Sequence, residues 1–242
     1  MANGFDGFPP ETLRFLRQLK RNNNREWFQA HKDVYERKVK APMTDLVLAL
    51  GCALEPLAPE LIVDPKRAIY RIYRDLRFSP DQRPYKTHVA ALFVPRGVPK
   101  KTGACLYFHL EPAEIVIAGG MYMPDPPTLR LLRRHIADHW RELEAITRRR
   151  DFRSLFGELQ GESLIRPPAG YPADHPAVDL LRRKQLHVSR TEPPALAEGP
   201  KLLPRLLTLF TAMLPLVRFL NQPLQSGPMT AVDGRFEKGP MG

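Results

Sequence analysis

Apolar residues recur at helical spacing through the first quarter of the chain. Leu13, Leu16 and Leu19 are separated by polar residues, predicting an amphipathic helix after Pro10 that ends at Asn22-Asn23-Asn24. Asn23 and Glu26 have the spacing of an N-cap and its third helical residue. That pair starts a second predicted helix carrying Trp27, His31, Val34, Tyr35 and Lys38 along one side. Pro42 suits the first turn of a third helix. Met43, Leu46, Val47, Leu50, Leu54 and Leu57 form its apolar stripe.

The period then shortens to two. Ala68 to Arg74 alternates, with Ile69, Arg71 and Tyr73 on one predicted face. Thr87 to Val94, Ala104 to Leu110 and Glu114 to Ala118 also read as strands. Turn residues such as Pro95, Gly97, Gly103 and Pro112 separate them. The short link from Leu110 to Glu114 is a hairpin connection, so at least part of the sheet is antiparallel. Gly119-Gly120 marks a sharp turn or a close backbone approach.

Helical spacing returns beyond Pro127, with Thr128 as N-cap and Leu129, Leu132, Ile136, Trp140, Leu143 and Ile146 facing inward. Gly157 to Pro176 is loop-rich. A short helix around Val178 to Lys184 and an apolar helix from Leu202 to Leu220 follow. The uncharged interior of the last helix, Leu206 to Val217, is too short to cross ~30 Å of hydrocarbon and reads as buried. The expected architecture is a single α+β domain over residues 1–224, a mostly antiparallel sheet flanked by N-terminal and C-terminal helices. Residues 225–242, with Gly, Pro and few large apolar side chains, are expected to be disordered.

Composition narrows the function classes. With 242 residues, 43% hydrophobic and 26% charged, the chain can bury a proper core. The N-terminus lacks a basic stretch followed by an apolar run, so no secretory signal is read and a cytoplasmic location is expected, with no membrane partner. Cys52 and Cys105 are far apart in apolar surroundings and suggest packed, reduced thiols. Without Cys-x-x-Cys, Gly-x-x-x-x-Gly-Lys-Ser/Thr, Gly-x-Gly-x-x-Gly or Gly-x-Ser-x-Gly patterns, zinc-ribbon, P-loop, Rossmann and α/β-hydrolase readings are disfavoured. The net charge of +11 permits polyanion binding, but its arginines are dispersed along the chain.

One segment concentrates chemistry. From Arg67 to Lys86, Arg67, Arg71, Arg74, Arg77, Arg83 and Lys86 stand against only Asp75 and Asp81. Arginine pairs with phosphate or carboxylate through two parallel bonds and stacks on rings, which Tyr70, Tyr73, Phe78 and Tyr85 supply. Arg71, Arg74 and Arg77 would clamp an anion, Tyr85 and Lys86 would donate to it, and Asp75 would orient an arginine. Asn23, Arg25 and Trp27, at the start of a helix, would complete the site. At least three of Arg71, Arg74, Arg77, Asp81 and Lys86 are expected to border one concave pocket with Trp27 or Asn23, because an unrelieved positive excess implies an anionic partner. The alternative is a rigid structural corner in which Asp75 and Asp81 pair with neighbouring arginines, in a structural or partner-binding protein with no ligand. A nucleic-acid-binding module, with Tyr73, Phe78 or Trp27 stacking bases, is the further alternative.

His135 and His139, four apart on a helix, share a face suited to a metal, but Ile136 stands where a zincin pattern needs glutamate. His88, His109 and His175 read as hydrogen-bonded structural residues, although His109 near Gly119-Gly120 could line a cleft. No cofactor is implied.

Phe5-Asp6-Gly7-Phe8, Asn23-Asn24-Arg25-Glu26-Trp27-Phe28 and the run Arg71 to Lys86 resemble the successive signatures of a bacterial conserved-protein family known as domain of unknown function 2461. Gly119-Gly120-Met121-Tyr122, Gly170-Tyr171, Asp174-His175-Pro176 and Phe219-Leu220-Asn221 also fit. The resemblance spans about Phe5 to Leu224 and implies no established activity. The family pattern has lysine where this chain has Pro80 and Gln82, so it assigns no lysine role there.

Overall fold

The computed structural model describes residues 4–77 and 79–225. Helix α1 (Pro10–Arg21) buries Leu13, Leu16 and Leu19. The second predicted helix is broken. It becomes α2 (Arg25–Ala30), α3 (Lys32–Tyr35) and a π-helical turn (Glu36–Lys40) that runs into α4 (Ala41–Leu54). Pro42 explains the last irregularity. It has no N–H to offer the carbonyl of Lys38 four residues back, and the buried Thr12 hydroxyl donates to that carbonyl instead. Met43, Leu46, Val47, Leu50 and Leu54 are buried, whereas Leu57 lies past the helix end and is exposed.

Residues Leu61–Ile62 form the short strand β1, and Pro65–Ala68 form one helical turn, α5. The strand predicted over Ala68 to Arg74 is absent: Ile69 and Tyr73 make only isolated bridges, to Ala91 and Tyr85. Ile72 is buried, while Arg71 and Tyr73 on the other face are exposed. Two causes act locally. Asp64 accepts from the Lys66 N–H and starts a helical turn, and Pro84 offers no donor with which to prolong the ladder across from Arg74.

Three long strands follow as predicted: β2 (Val89–Pro95), β3 (Cys105–Leu110) and β4 (Ile115–Met121). They are joined on the far side by β5 (Leu186–Glu192) into an antiparallel meander β1-β2-β3-β4-β5. Gly119-Gly120 lies inside β4, not at a turn. A Cβ on Gly119 would sit 2.7 Å from the Met213 sulfur, so the close approach is that of a helix on the sheet's inner face.

Helix α6 (Pro126–Arg148) is capped by Asp125, which accepts from the Thr128 N–H at 2.9 Å, so the cap lies three residues before the expected one. It buries Leu132, Ile136 and Leu143 and is kinked at His139. Helices α7 (Arg150–Phe156) and α8 (Val178–Leu181) flank the loop-rich stretch. The last helix, α9 (Leu202–Gln225), is long and apolar enough to cross a membrane, and it carries buried core residues from Leu202 to Asn221. It lies on the sheet, with Phe210 edge-on to Phe93. Phe8 hydrogen-bonds the carbonyl of Ala197 and stacks on Phe108, tying the first signature to the same core. The predicted disordered tail lies, apart from Gln225, outside the described residues. Cys52 is exposed, contrary to expectation; the Cys105 thiol is desolvated and pushed up to about 12.

Candidate functional site

The arginine-rich segment divides into two parts. Between Arg74 and Pro84 the chain folds into a loop closed at its neck by the Tyr73–Tyr85 bridge. The Arg74 N–H donates to the Pro84 carbonyl, and the Lys86 N–H donates to that of Ile72. Arg74 is the hub: its guanidinium reaches the Arg83 carbonyl at 3.1 Å, Ser79 Oγ at 3.2 Å and the Asp81 carboxylate at 2.7 Å. Arg83 pairs with Asp81, and Arg77 with Asp75, each at 2.7 Å. Hydrogen bonds from Arg77 hold the Asp75 carboxyl down to about 2, and those from Arg83 hold Asp81 well below the usual carboxylate range. These charges are consumed within the loop.

Asn23 is not a cap. Asn24 takes that place, accepting from the Trp27 N–H at 2.9 Å. Asn23 instead clamps the loop's neck: its side-chain oxygen accepts from the Tyr85 N–H at 3.0 Å, and its amide donates to the Tyr85 carbonyl at 2.9 Å. The Tyr85 ring is buried and stacks on Phe28, so it belongs to the core and does not face a ligand. Trp27 is half-buried, with its ring stacked on His31. Arg25 stays exposed at the start of α2.

Arg71 and Lys86 have a different fate. Among the described residues, no carboxylate lies within ion-pairing distance of either. Lys86 Nζ sits 4.7 Å above the Tyr70 ring, and Lys100 Nζ, likewise without a carboxylate partner, sits 5.4 Å from the same ring. Burial and the nearby Arg71 guanidinium both push the Lys86 pKa down. Two lysines therefore share one aromatic ring at the edge of the sheet, with the Arg71 guanidinium close enough to Lys86 to act on its charge. Two cavities lie on that side of the sheet. One, of about 350 Å³, is lined by Leu61 to Asp64 with Arg67 and Arg96; the other, of about 90 Å³, by Arg67, Leu92, Val94 and Lys100 among others. Neither is bordered by Asn23, Trp27 or any residue of the segment from Arg71 to Lys86, so the expected pocket is not formed by these two.

The ring of Tyr70 leads onto the face of the sheet that α9 leaves open. Tyr107 meets it edge-on at 6.4 Å, and the Tyr107 hydroxyl lies 3.1 Å from His109 Nδ1. His109 in turn stacks on His88 at 5.1 Å. Burial, with smaller contributions from Tyr70, Cys105 and Glu111, raises Tyr107 to about 12. Burial, assisted by His109 and Lys86, lowers His88 to about 4, so both groups are neutral near pH 7. Glu111 and Glu114 close the row, and one ligand atom from each, together with one from His109, lie within 4.8 Å of one another. Reasoning from sequence offered Tyr70 as a ring beside the arginines but missed Lys100, Tyr107, Glu111 and Glu114 as site residues. A signal was available in β3, where Cys105, Tyr107 and His109 alternate with buried Leu106, Phe108 and Leu110. One face of that strand carries only reactive side chains.

Residues 11–219 match the family model described as Conserved hypothetical protein (DUF2461). The chain belongs to this family. For this DUF2461 member, no curated protein and no solved structure matches. The His135–His139 pair, with ring centroids 4.7 Å apart, gains no third His, Cys, Asp or Glu ligand among the described residues.

Proposed function

We propose that the protein binds an anionic small molecule, a phosphate-bearing metabolite being the best fit, at Arg71, Lys86 and Lys100 on the open side of the sheet. The observation that carries the reading is that Lys86 and Lys100, neither ion-paired to a carboxylate, share the Tyr70 ring, with the Arg71 charge felt by Lys86. Mutual repulsion makes such a group costly in the empty protein, and an anion relieves it through charge-assisted bonds. Arg74, Arg77 and Arg83 are spent on Asp75 and Asp81 and support the loop. The structural-corner reading therefore fits residues 74–84, and the anion reading fits the loop's two ends. A small ligand is favoured over nucleic acid because the unpaired cations converge at one place.

Isothermal titration with inorganic phosphate and with ADP tests the assignment. Each lost charge-assisted contact is worth roughly 1.5–3 kcal/mol, or about 10- to 150-fold in affinity. Lys86→Ala and Arg71→Ala are expected to lose that much, and Arg77→Ala very little. Absence of binding by both anions, or an equal loss in Arg77→Ala, overturns the proposal. Affinity for single-stranded oligonucleotides that falls steeply with salt would favour the nucleic-acid alternative.

A further inference from the structure

The hairpin between β3 and β4 sets an unusual electrostatic problem. Leu110 pairs with Ile115, and the Glu111 N–H donates to the Glu114 carbonyl at 3.0 Å across the two residues Pro112 and Ala113. Glu111 and Glu114 are therefore the last pair of the ladder, directly opposite and on the same face. Like charges in that position destabilise a hairpin. The chain has an excess of 11 positive charges. Even so, among the described residues no lysine or arginine lies within ion-pairing distance of either glutamate.

What stands beside the two carboxylates is imidazole. His109 precedes Glu111 by two residues on β3 and shares its face. Continuing the β2–β3 register one step beyond Val89–Leu110 places His88 opposite Glu111, in agreement with the stacking of the two rings. The Tyr107 hydroxyl engages His109 Nδ1 and leaves Nε2 as the ring nitrogen available to a ligand. Metal-binding histidines have this arrangement, the second nitrogen being held by a neighbouring polar group. All four side chains are half-buried, which limits screening by water.

We propose that His109, Glu111 and Glu114, with His88 as fourth ligand, form a binding site for a divalent first-row transition metal, zinc being the best fit. A set mixing imidazole with carboxylate favours such ions over magnesium or calcium, which take oxygen ligands. Ligand atoms around tetrahedral zinc stand about 3.4 Å apart at bond lengths of about 2.0–2.2 Å. The three ligand atoms already lie within 4.8 Å of one another, and the His88 ring stacks on that of His109 at 5.1 Å. A cation there also relieves the facing carboxylates. This site uses none of Arg71, Lys86 or Lys100 and stands whether or not the anion proposal holds.

The test is titration of metal-stripped full-length protein with zinc alone, in competition with a chromophoric chelator and without phosphate. One equivalent is expected to bind. His109→Ala and Glu111→Gln should each weaken binding by more than the 10- to 100-fold typical of a lost supporting contact, and Tyr107→Phe by about 10-fold. His135→Ala should leave it unchanged. Cobalt(II) should give visible absorption that disappears in Glu111→Gln, a variant whose thermal melt without metal should match or exceed that of the parent. Failure to bind zinc at micromolar concentration overturns the proposal. So does binding that survives both His109→Ala and Glu111→Gln, or that His135→Ala abolishes.

Discussion

Replacing Asn23 separates two accounts of the second signature. The side chain makes two hydrogen bonds to the backbone of Tyr85, at 2.9 and 3.0 Å. Tyr85 is 2% exposed, so water does not readily replace them. Asn23→Ala leaves one buried N–H and one buried C=O without partners, each costing about 1–3 kcal/mol. Taking roughly 2–6 kcal/mol in total and 2–4 °C per kcal/mol for a chain of this size, the melting temperature should fall by about 4–24 °C. Asn24→Ala removes only a cap, worth about 1 kcal/mol. Asn23→Asp is the decisive variant. Aspartate caps a helix as well as asparagine does, but here it would set a carboxylate oxygen against the Tyr85 carbonyl, so it should be as harmful as alanine. Differential scanning calorimetry on the three variants provides the measurement. If Asn23→Asp melts like the parent, or Asn24→Ala costs more than Asn23→Ala, the clamp is refuted and Asn23 acts as a cap after all.

Two further outcomes follow from the same geometry. Arg74→Ala should speed amide hydrogen exchange from Ile72 to Lys86, because it removes the hub of the loop, whereas water screens the exposed Arg77–Asp75 pair and Arg77→Ala should change exchange far less; equal effects would refute the hub. Burial, with Arg183 nearby, lowers the His187 pKa, so between that value and the unfolded value of about 6.5 the unfolded chain binds more protons and stability falls as pH drops. The urea midpoint should be lower at pH 5.5 than at 7.5, with a smaller gap in His187→Gln; a higher midpoint at pH 5.5 would reverse the assignment.

Periodicity made the scaffold legible where burial was one-sided. Leu13, Leu16 and Leu19, the stripe from Met43 to Leu54 and the three central strands are one-sided or contiguous apolar patterns, and they fold as read. Periodicity failed where a local bond overrides propensity. The alternation from Ala68 to Arg74 gives way to the Asp64 cap and to a loop organised around Arg74. β5 and α7 escaped notice because polar residues such as Arg190 and Arg153 interrupt short patterns. The arginine cluster was visible in the sequence, but its division was not. Which cations are spent depends on Asp75 and Asp81 lying two residues from Arg77 and Arg83 and on the loop closing at Tyr73–Tyr85. The histidine–glutamate row needed the register of β2 on β3, which no local pattern encodes.

The Asn23 clamp has a counterpart near the other end of the fold. Asn221 accepts from the Ala104 N–H and donates to its carbonyl, both at 2.9 Å. In each case one amide replaces a missing strand partner for a single residue. These links span 62 and 117 positions along the chain, so each closes a long loop for only two bonds, and that entropy must be met by structure already in place. The meander from Val89 to Met121, built from neighbouring strands, is the segment able to form early. The terminal helices then dock onto it, and the two asparagines fasten late in folding. Mutating either one should accelerate unfolding and leave the rate of refolding almost untouched.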